Sequence, residues 1–487
     1  MKKLYKATSL LALSAIVLST ALLAGCSTTH SREFVILTTN DMHAQIDKFP
    51  ALATAIEQCR DTANVILVDA GDRWTGNAFV DLVDNYTPIY ELMNNLNYDV
   101  AIFGNHEFDK GQAYLAASNR QATFPIIGAN IISDTTSFPQ PAPHIIIEVE
   151  DKKIAFVGIT GNYNANGYPA GKDESYAGLT FTDPHSAASQ YSYLADQCDM
   201  LVLVSHSGLE RDVEFAQSPL SQGFDQIISS HSHDTANQEV NGILVTQTGS
   251  RLKNIGATKV TITKDGAVKL SHRNIPLSTY SQEAHTAKLV EGYYNNPELN
   301  APIGKASGDF SSEGLRNLFA ETIRKRTSAN IGLYHSGGVR IESLKEGDVS
   351  LADILNAEPF GSYIATCTMT QDQLREMIMT KFNDKVNVGE AHYIDIVTTT
   401  PYEVITDQSG DAIDIIFPNL DPKRNYKVAM GDYIYKTYSG LNHTNGQVTD
   451  ILITDTFVEL LKGTKPIAPD NNSYQKIVKE SERAEQE

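Results

Sequence analysis

Five apolar runs in this chain each end in side chains able to bind a metal. VILTTNDMH closes on Asp41 and His43, VILVDAGD on Asp72, and VAIFGNH on Asn105 and His106. LVLVSHSG carries His206, and IISSHSH carries His231 and His233. A short run of Val, Ile and Leu reads as a buried strand, and in α/β sheets ligands gather beyond the carboxyl ends of the strands. Taken singly, an Asp at a strand end is a helix cap and a lone His a hydrogen-bonded structural residue. Five such ends together point to a layered α/β domain whose loops converge.

The donors are Asp, Asn and His, without thiolate. That set suits Zn, Mn, Co or Fe and not an all-oxygen Mg or Ca cage. Asp41, His43, Asp72, Asn105, His206, His231 and His233 exceed one four-coordinate site and suffice for two divalent ions if one carboxylate bridges. Two ions about 3.5–4 Å apart form the clamp of phosphatases and nucleases.

Around these ends the chain alternates strands and helices from 33 to 275. Ile89, Leu92, Met93 and Leu96 recur at helical spacing, and hairpins are expected at Asp151-Lys152 and Asp265-Gly266. Residues 276–308 read as a linker with a short helical centre. A second α/β unit follows at 309–470, then a charged tail at 471–487, read as a solvated helix end or disordered.

The N-terminus looks like a targeting segment. Lys2 and Lys3 precede an apolar run that ends in LLAGC, so residues 1–25 read as a lipoprotein signal peptide and 26–32 as a tether. A lipidated Cys26 would anchor an exported protein to a bacterial membrane surface. Cys59, Cys198 and Cys367 are too few and too widely spaced for a disulfide framework. A net charge of −20 argues against binding a nucleic-acid polymer, while metals and a few arginines can still hold a small phosphorylated substrate.

DMH, GDRWTGN, GNHEFD, SHSG and HSH resemble, in order, the motifs of the calcineurin-like metallophosphoesterases. HSGGVRIESLKEGDVSLADILNAEPFGSYIATCTMT is similar to the C-terminal domain of the bacterial periplasmic 5′-nucleotidase / UDP-sugar hydrolase family. The resemblance covers about residues 33 to 460. It implies a four-layer α/β/β/α sandwich followed by a smaller α/β substrate-binding domain. It assigns Asp41, His43, Asp72 and His233 to one metal and Asp72, Asn105, His206 and His231 to the other. It makes His106 catalytic, with Asp109 orienting its ring and favouring its protonated form. The implied reaction is in-line attack on phosphorus by metal-held hydroxide, releasing nucleoside and phosphate from nucleoside monophosphates.

For substrate binding the resemblance points to Arg340 on phosphate, with Phe360 and Tyr433 sandwiching a base. The chain departs from the family pattern in places. A glycine/aspartate motif is missing, with Ser439 where an Asp is usual, and His335 stands where Asn or Ser is usual. Upstream arginines find only Lys305 and Arg316, with Arg326 a possible substitute. UDP-sugar or 2′,3′-cyclic-nucleotide hydrolysis, or a nucleotide-binding lipoprotein without catalysis, are the alternatives.

Overall fold

In a computed structural model of the chain, residues 31–164, 166–384, 392–438, 445–463 and 465–483 are described. Cys26 with its leader, Ser439 and the last tail residues lie outside them. Strands β1 (Arg32–Thr39), β2 (Val65–Asp69), β3 (Val100–Ile102) and β4 (Ile126–Ile127) run parallel. The chain then crosses to a second sheet through the hairpin β5 (His144–Val149) and β6 (Lys152–Thr160). That sheet continues with β7 (Met200–His206), β8 (Gln226–Ile228), β9 (Thr235–Val240) and β10 (Ile243–Thr248). The hairpin β11 (Asn254–Ile262) and β12 (Val268–Pro276) returns to the first sheet, with β11 antiparallel to β1. The sheet orders are β12-β11-β1-β2-β3-β4 and β9-β10-β8-β7-β6-β5.

The two sheets lie face to face. Phe34, Ile36, Ile66 and Val68 of the first meet Ile154, Phe156, Met200 and Val202 of the second. Helices Phe49–Arg60 and Thr87–Asn95 cover the outer face of the first sheet, and Leu209–Gln217 that of the second. The result is an α/β/β/α sandwich. It explains why these strands read as continuous apolar runs: parallel strands covered on both faces have no solvent side to alternate with.

The second unit holds a five-stranded sheet in the order Ile396–Thr398, Ile331–His335, Tyr426–Gly431, Tyr363–Met369, Gln447–Leu452. Helices Ser312–Thr327 and Ile453–Leu461 pack on one face and Gln371–Phe382 on the other.

Two segments differ from the sequence reading. The helix Ala284–Tyr294, placed in the linker, docks on the first domain through Val290, and Glu283 N–H donates to Pro50 O at 2.9 Å. Pro302–Ala306 already pairs with Gly347–Ser350 of the second unit, so the connection narrows to 295–301. The charged tail is likewise not free over its described part. Gln475–Lys479 pairs in parallel with Tyr402–Thr406 as an edge strand. Its lysines conceal the strand in the sequence, and edge strands carry such charges because they face water.

Candidate active site

All seven metal-capable donors lie where strands of the two sheets give way to loops. Asp41, His43, Asp72, His231 and His233 hold positive φ, between 45° and 79°. Side chains other than glycine rarely adopt that backbone, and such strain clusters at functional sites. The loops cross closely enough that a Cβ on Gly104 would collide with the Asp72 carboxylate. This is why the turn before Asn105 requires glycine.

The donor atoms converge. His43 Nε2 lies 3.0 Å from His233 Nε2, and His233 Nε2 lies 3.5 Å from Asp41 Oδ1. On the other side His206 Nε2 is 3.2 Å from Asp72 Oδ2, and His231 Nδ1 is 3.0 Å from Asn105 Oδ1. Asp41, His43 and His233 form one group able to hold an ion, Asp72, His206 and His231 another, and His43, Asp72 and His106 a third between them. Asp41 Oδ1, His206 Nε2 and His231 Nε2 are buried with no hydrogen-bond partner among the described residues. Buried lone pairs left so cost free energy that a cation removes. The residues fit divalent metal, and Asp72 belongs to two of the groups.

Neighbouring groups fix the rings. His43 Nδ1 faces Thr75 O at 3.1 Å, and His206 Nδ1 faces Ala70 O at 2.8 Å. Each Nδ1–H is thereby engaged and each Nε2 is turned into the cluster. Burial, with Arg340 and His233 nearby, holds His43 well below its usual pKa. Burial likewise brings His231 down to about 3. Burial acts the same way on His206, but the Asp72 carboxylate outweighs it and lifts the ring to about 10. Tyr163 stacks flat on His231 at 4.4 Å and covers its ring.

Sequence reasoning gave Glu107 no role, and the structure supplies one. Its carboxylate is buried and accepts from the N–H groups of Gly104 at 2.5 Å, Asp72 at 2.9 Å and Arg73 at 2.9 Å. It thus staples the turn carrying Asp72 to the turn carrying Asn105. Arg73, also missed, is fully buried beneath it and donates to Asp69 Oδ1 at 3.0 Å and Ile102 O at 2.7 Å. Burial pushes Asp69 up to about 7, and Arg73 pulls against that rise. The signal was available: an Arg directly after a strand-end Asp is hard to bury without an acid from the next turn.

His106 stands at the edge of the cluster, its ring 5.2 Å from that of His43. Its Nδ1 lies 2.8 Å from Asp109 Oδ2, which also accepts from Thr75 Oγ1 at 2.7 Å. Burial opposes a charge on this ring, but Asp109 and Asp72 outweigh it, and the pKa is raised. His106 Nε2 accepts from Arg340 Nη2 of the second domain at 2.7 Å. Phe360 stacks on His106 at 5.8 Å, with the Arg340 guanidinium 5.1 Å from the Phe360 ring centre. Tyr433 stacks instead on His335 at 5.3 Å, so the two aromatics flank different parts of the space.

These groups surround a cavity of about 440 Å³ between the domains. Asp72, Asn105, His106, Asp109, His231 and His233 line one side, and His335, Arg340, Phe360 and Tyr433 the other. Arg326 does not reach it. Its guanidinium is 3.9 Å from Glu459 on the surface, because its turn of the helix faces away from the cleft. Lys305 is also remote, paired with Asp348 at 2.7 Å. The domains are joined around the cavity by Ala78 N–H to Asn356 Oδ1 at 2.6 Å, Lys172 to Asp432 at 3.5 Å and Lys436 to Glu174 at 2.6 Å.

Comparison with known proteins agrees with this architecture. Residues 34–235 match the family model of calcineurin-like phosphoesterases, and residues 294–445 match that of the 5′-nucleotidase C-terminal domain. The trifunctional nucleotide phosphoesterase protein YfkN of Bacillus subtilis is 25% identical over 510 residues, covering 88% of this chain but 34% of its own length. The chain thus spans about a third of that relative. Protein UshA of Yersinia enterocolitica is 24% identical over 474 residues, covering 82% of this chain and 84% of its own. The crystal structure of a 5′-nucleotidase precursor from Thermus thermophilus has the same fold, with a TM-score of 0.78 at 18% identity over 92% of this chain and 99% of that one.

Proposed function

Since the chain belongs to the calcineurin-like phosphoesterases that carry a 5′-nucleotidase C-terminal domain, we propose that it is a two-metal phosphohydrolase of nucleoside monophosphates, yielding nucleoside and phosphate. The observation that carries this reading is the cluster of seven donors, three of them with an unpartnered buried atom, opening directly onto His106 and Arg340. Asp41, His43 and His233 would hold one ion, Asn105, His206 and His231 the other, and Asp72 both. Such ions supply Lewis acidity to the phosphoryl oxygens when bound.

The chain's own residues do the rest. Asp109 engages Nδ1–H of His106 and leaves Nε2 facing the substrate. Arg340 donates to that same Nε2. An entering phosphoryl oxygen is a stronger acceptor, so it draws Arg340 onto itself and releases Nε2. His106, favoured in its charged form by Asp109, then holds a proton against the phosphoryl group or delivers it to the leaving oxygen. Phe360 offers a flat face beside the reacting end, and Tyr433 with His335 a second one farther off.

Export and anchoring through lipidated Cys26 belong to the same reading, supported by the leader and the LLAGC stretch. A panel of phosphoesters assayed with Mn, Zn, Co and Mg tests the function. Release of phosphate from nucleoside monophosphates is expected. Binding without turnover across the whole panel would instead favour a nucleotide-capturing lipoprotein.

A further inference from the structure

The two oxygens of Asp41 are not equivalent, and a residue outside the donor set makes them differ. Asn40 directly follows β1 and is buried. Its Nδ2 donates to Asp41 Oδ2 at 2.7 Å and to Gly249 O at 2.6 Å. Its Oδ1 accepts from Thr248 N–H at 3.1 Å and from Thr248 Oγ1 at 2.5 Å. Both amide hydrogens and the carbonyl are therefore used. The amide is fixed in this sense, since turning it over would set its oxygen against Gly249 O and its NH₂ against Thr248 N–H.

The strand end that holds Asn40 is itself tied to the donor loops. Thr248 closes β10, Gly249 N–H donates to Asp234 O at 2.8 Å, and Arg251 N–H donates to Asp41 O at 2.7 Å. Asn40 thus fastens the turn of Asp41 to the turn that follows His233. Asp41 Oδ2 accepts a second bond, from His231 N–H at 3.0 Å. Two N–H donors occupy the lone pairs of Oδ2. Asp41 Oδ1 is buried with no hydrogen-bond partner among the described residues and stands 3.5 Å from His233 Nε2. Groups that bond a ligand from behind fix its orientation and its strength as a donor.

Resting on the two-metal reading above, we propose that Asn40 is a positioning residue that confines Asp41 to one oxygen toward the ion it shares with His43 and His233. Asn40 thereby sets which metal that site prefers. Two imidazoles with single carboxylate oxygens match the nitrogen donors and the low coordination number of Zn. A carboxylate free to offer both oxygens adds a hard donor, and carboxylate oxygen suits Mn better than Zn. The amide of Asn40 withholds that second oxygen.

The test measures Zn and Mn affinity by competition on the full chain and on its Asn40→Ala and Thr248→Val variants, and records the visible spectrum of each loaded with Co. Asn40→Ala is expected to weaken Zn about 10- to 100-fold, the range for partners of metal ligands, and Mn less, so the ratio of Mn to Zn affinity rises. Its Co bands should become fainter, because an added oxygen moves Co away from four-coordination. Thr248→Val removes only a hydroxyl and leaves the amide held by Thr248 N–H and Gly249 O, so it should keep the wild-type ratio and spectrum. Asn40→Ser, which keeps a polar group toward Thr248, reads the same ratio should Asn40→Ala not fold. Equal losses of Zn and Mn with an unchanged Co spectrum, no change at all, or the same shift in Thr248→Val overturn the proposal. A wild-type chain that binds none of the three metals overturns it together with the two-metal reading. A wild type that binds them but releases phosphate from no phosphoester overturns the hydrolase reading alone, and the Mn-to-Zn ratio still decides the role of Asn40.

Discussion

Arg340 Nη2 donates to His106 Nε2 at 2.7 Å, which joins the second domain to the catalytic one at the reacting end of the cavity. Arg340 therefore has two acceptors to choose between, the imidazole and a phosphoryl oxygen of a substrate. Hydrogen bonds to charged groups contribute about 1.5–3 kcal/mol. Arg340→Ala should thus lower kcat/KM roughly 10- to 100-fold for nucleotides and for nitrophenyl phosphate alike. A loss confined to nucleotides would place Arg340 on the nucleoside instead.

His106→Ala should lower kcat about 10²- to 10⁴-fold, the range for a positioned acid or base. Bound metal, measured by elemental analysis, should stay nearly the same, because both ring nitrogens of His106 are engaged, Nδ1 by Asp109 and Nε2 by Arg340. Unchanged phosphate release from adenosine monophosphate would remove His106 from the mechanism.

Glu107→Gln should destabilise the fold and loosen the metals together. The amide would set an NH₂ against one or two of the three backbone donors and leave Asp69 as the acid beside buried Arg73. Breaking a buried pair on one side costs about 3–5 kcal/mol. Calorimetric unfolding reads the loss, and metal competition reads the weaker binding. A variant as stable as wild type that holds its metals equally well would show the staple to be dispensable.

Phe360→Ala and Tyr433→Ala should raise KM for nucleotides more than for nitrophenyl phosphate. Phe360 already covers His106, so its removal should also affect the small substrate somewhat, and Tyr433, stacked on His335, should not. Equal effects of the two variants on both substrates would reject base stacking.

Glu358 gives stability a pH dependence. Burial pushes its carboxyl up from 4.5 to about 7, against the bond from Ser362 Oγ at 2.6 Å. The folded chain binds this proton more tightly than the unfolded chain. The stabilisation is therefore complete below about pH 4.5 and is lost as pH rises toward 7, by at most about 1.4 kcal/mol per pH unit. Glu358→Gln should lose less stability than wild type between pH 5 and pH 8 when thermal unfolding is compared. Parallel profiles would contradict this.

The strand ends were legible because parallel strands buried on both faces must be apolar, so a polar residue at their carboxyl end stands out. The hairpin at Asp265-Gly266 was legible because its turn chemistry is local. Glu107 was not, since its partners are backbone N–H groups of another turn, and backbone leaves no mark in the sequence. Gln475–Lys479 reads as a solvated tail because an edge strand dresses like one. The placement of Phe360 and Tyr433 against different partners depends on how two domains dock, which no local pattern encodes.

The most direct test is metal content and phosphate release measured on the same purified full chain. The account predicts about two equivalents of transition metal per chain, and release of phosphate from adenosine monophosphate that is lost on chelation and restored by Mn, Co or Zn. A chain that binds no transition metal, or whose phosphate release ignores chelation, would contradict it.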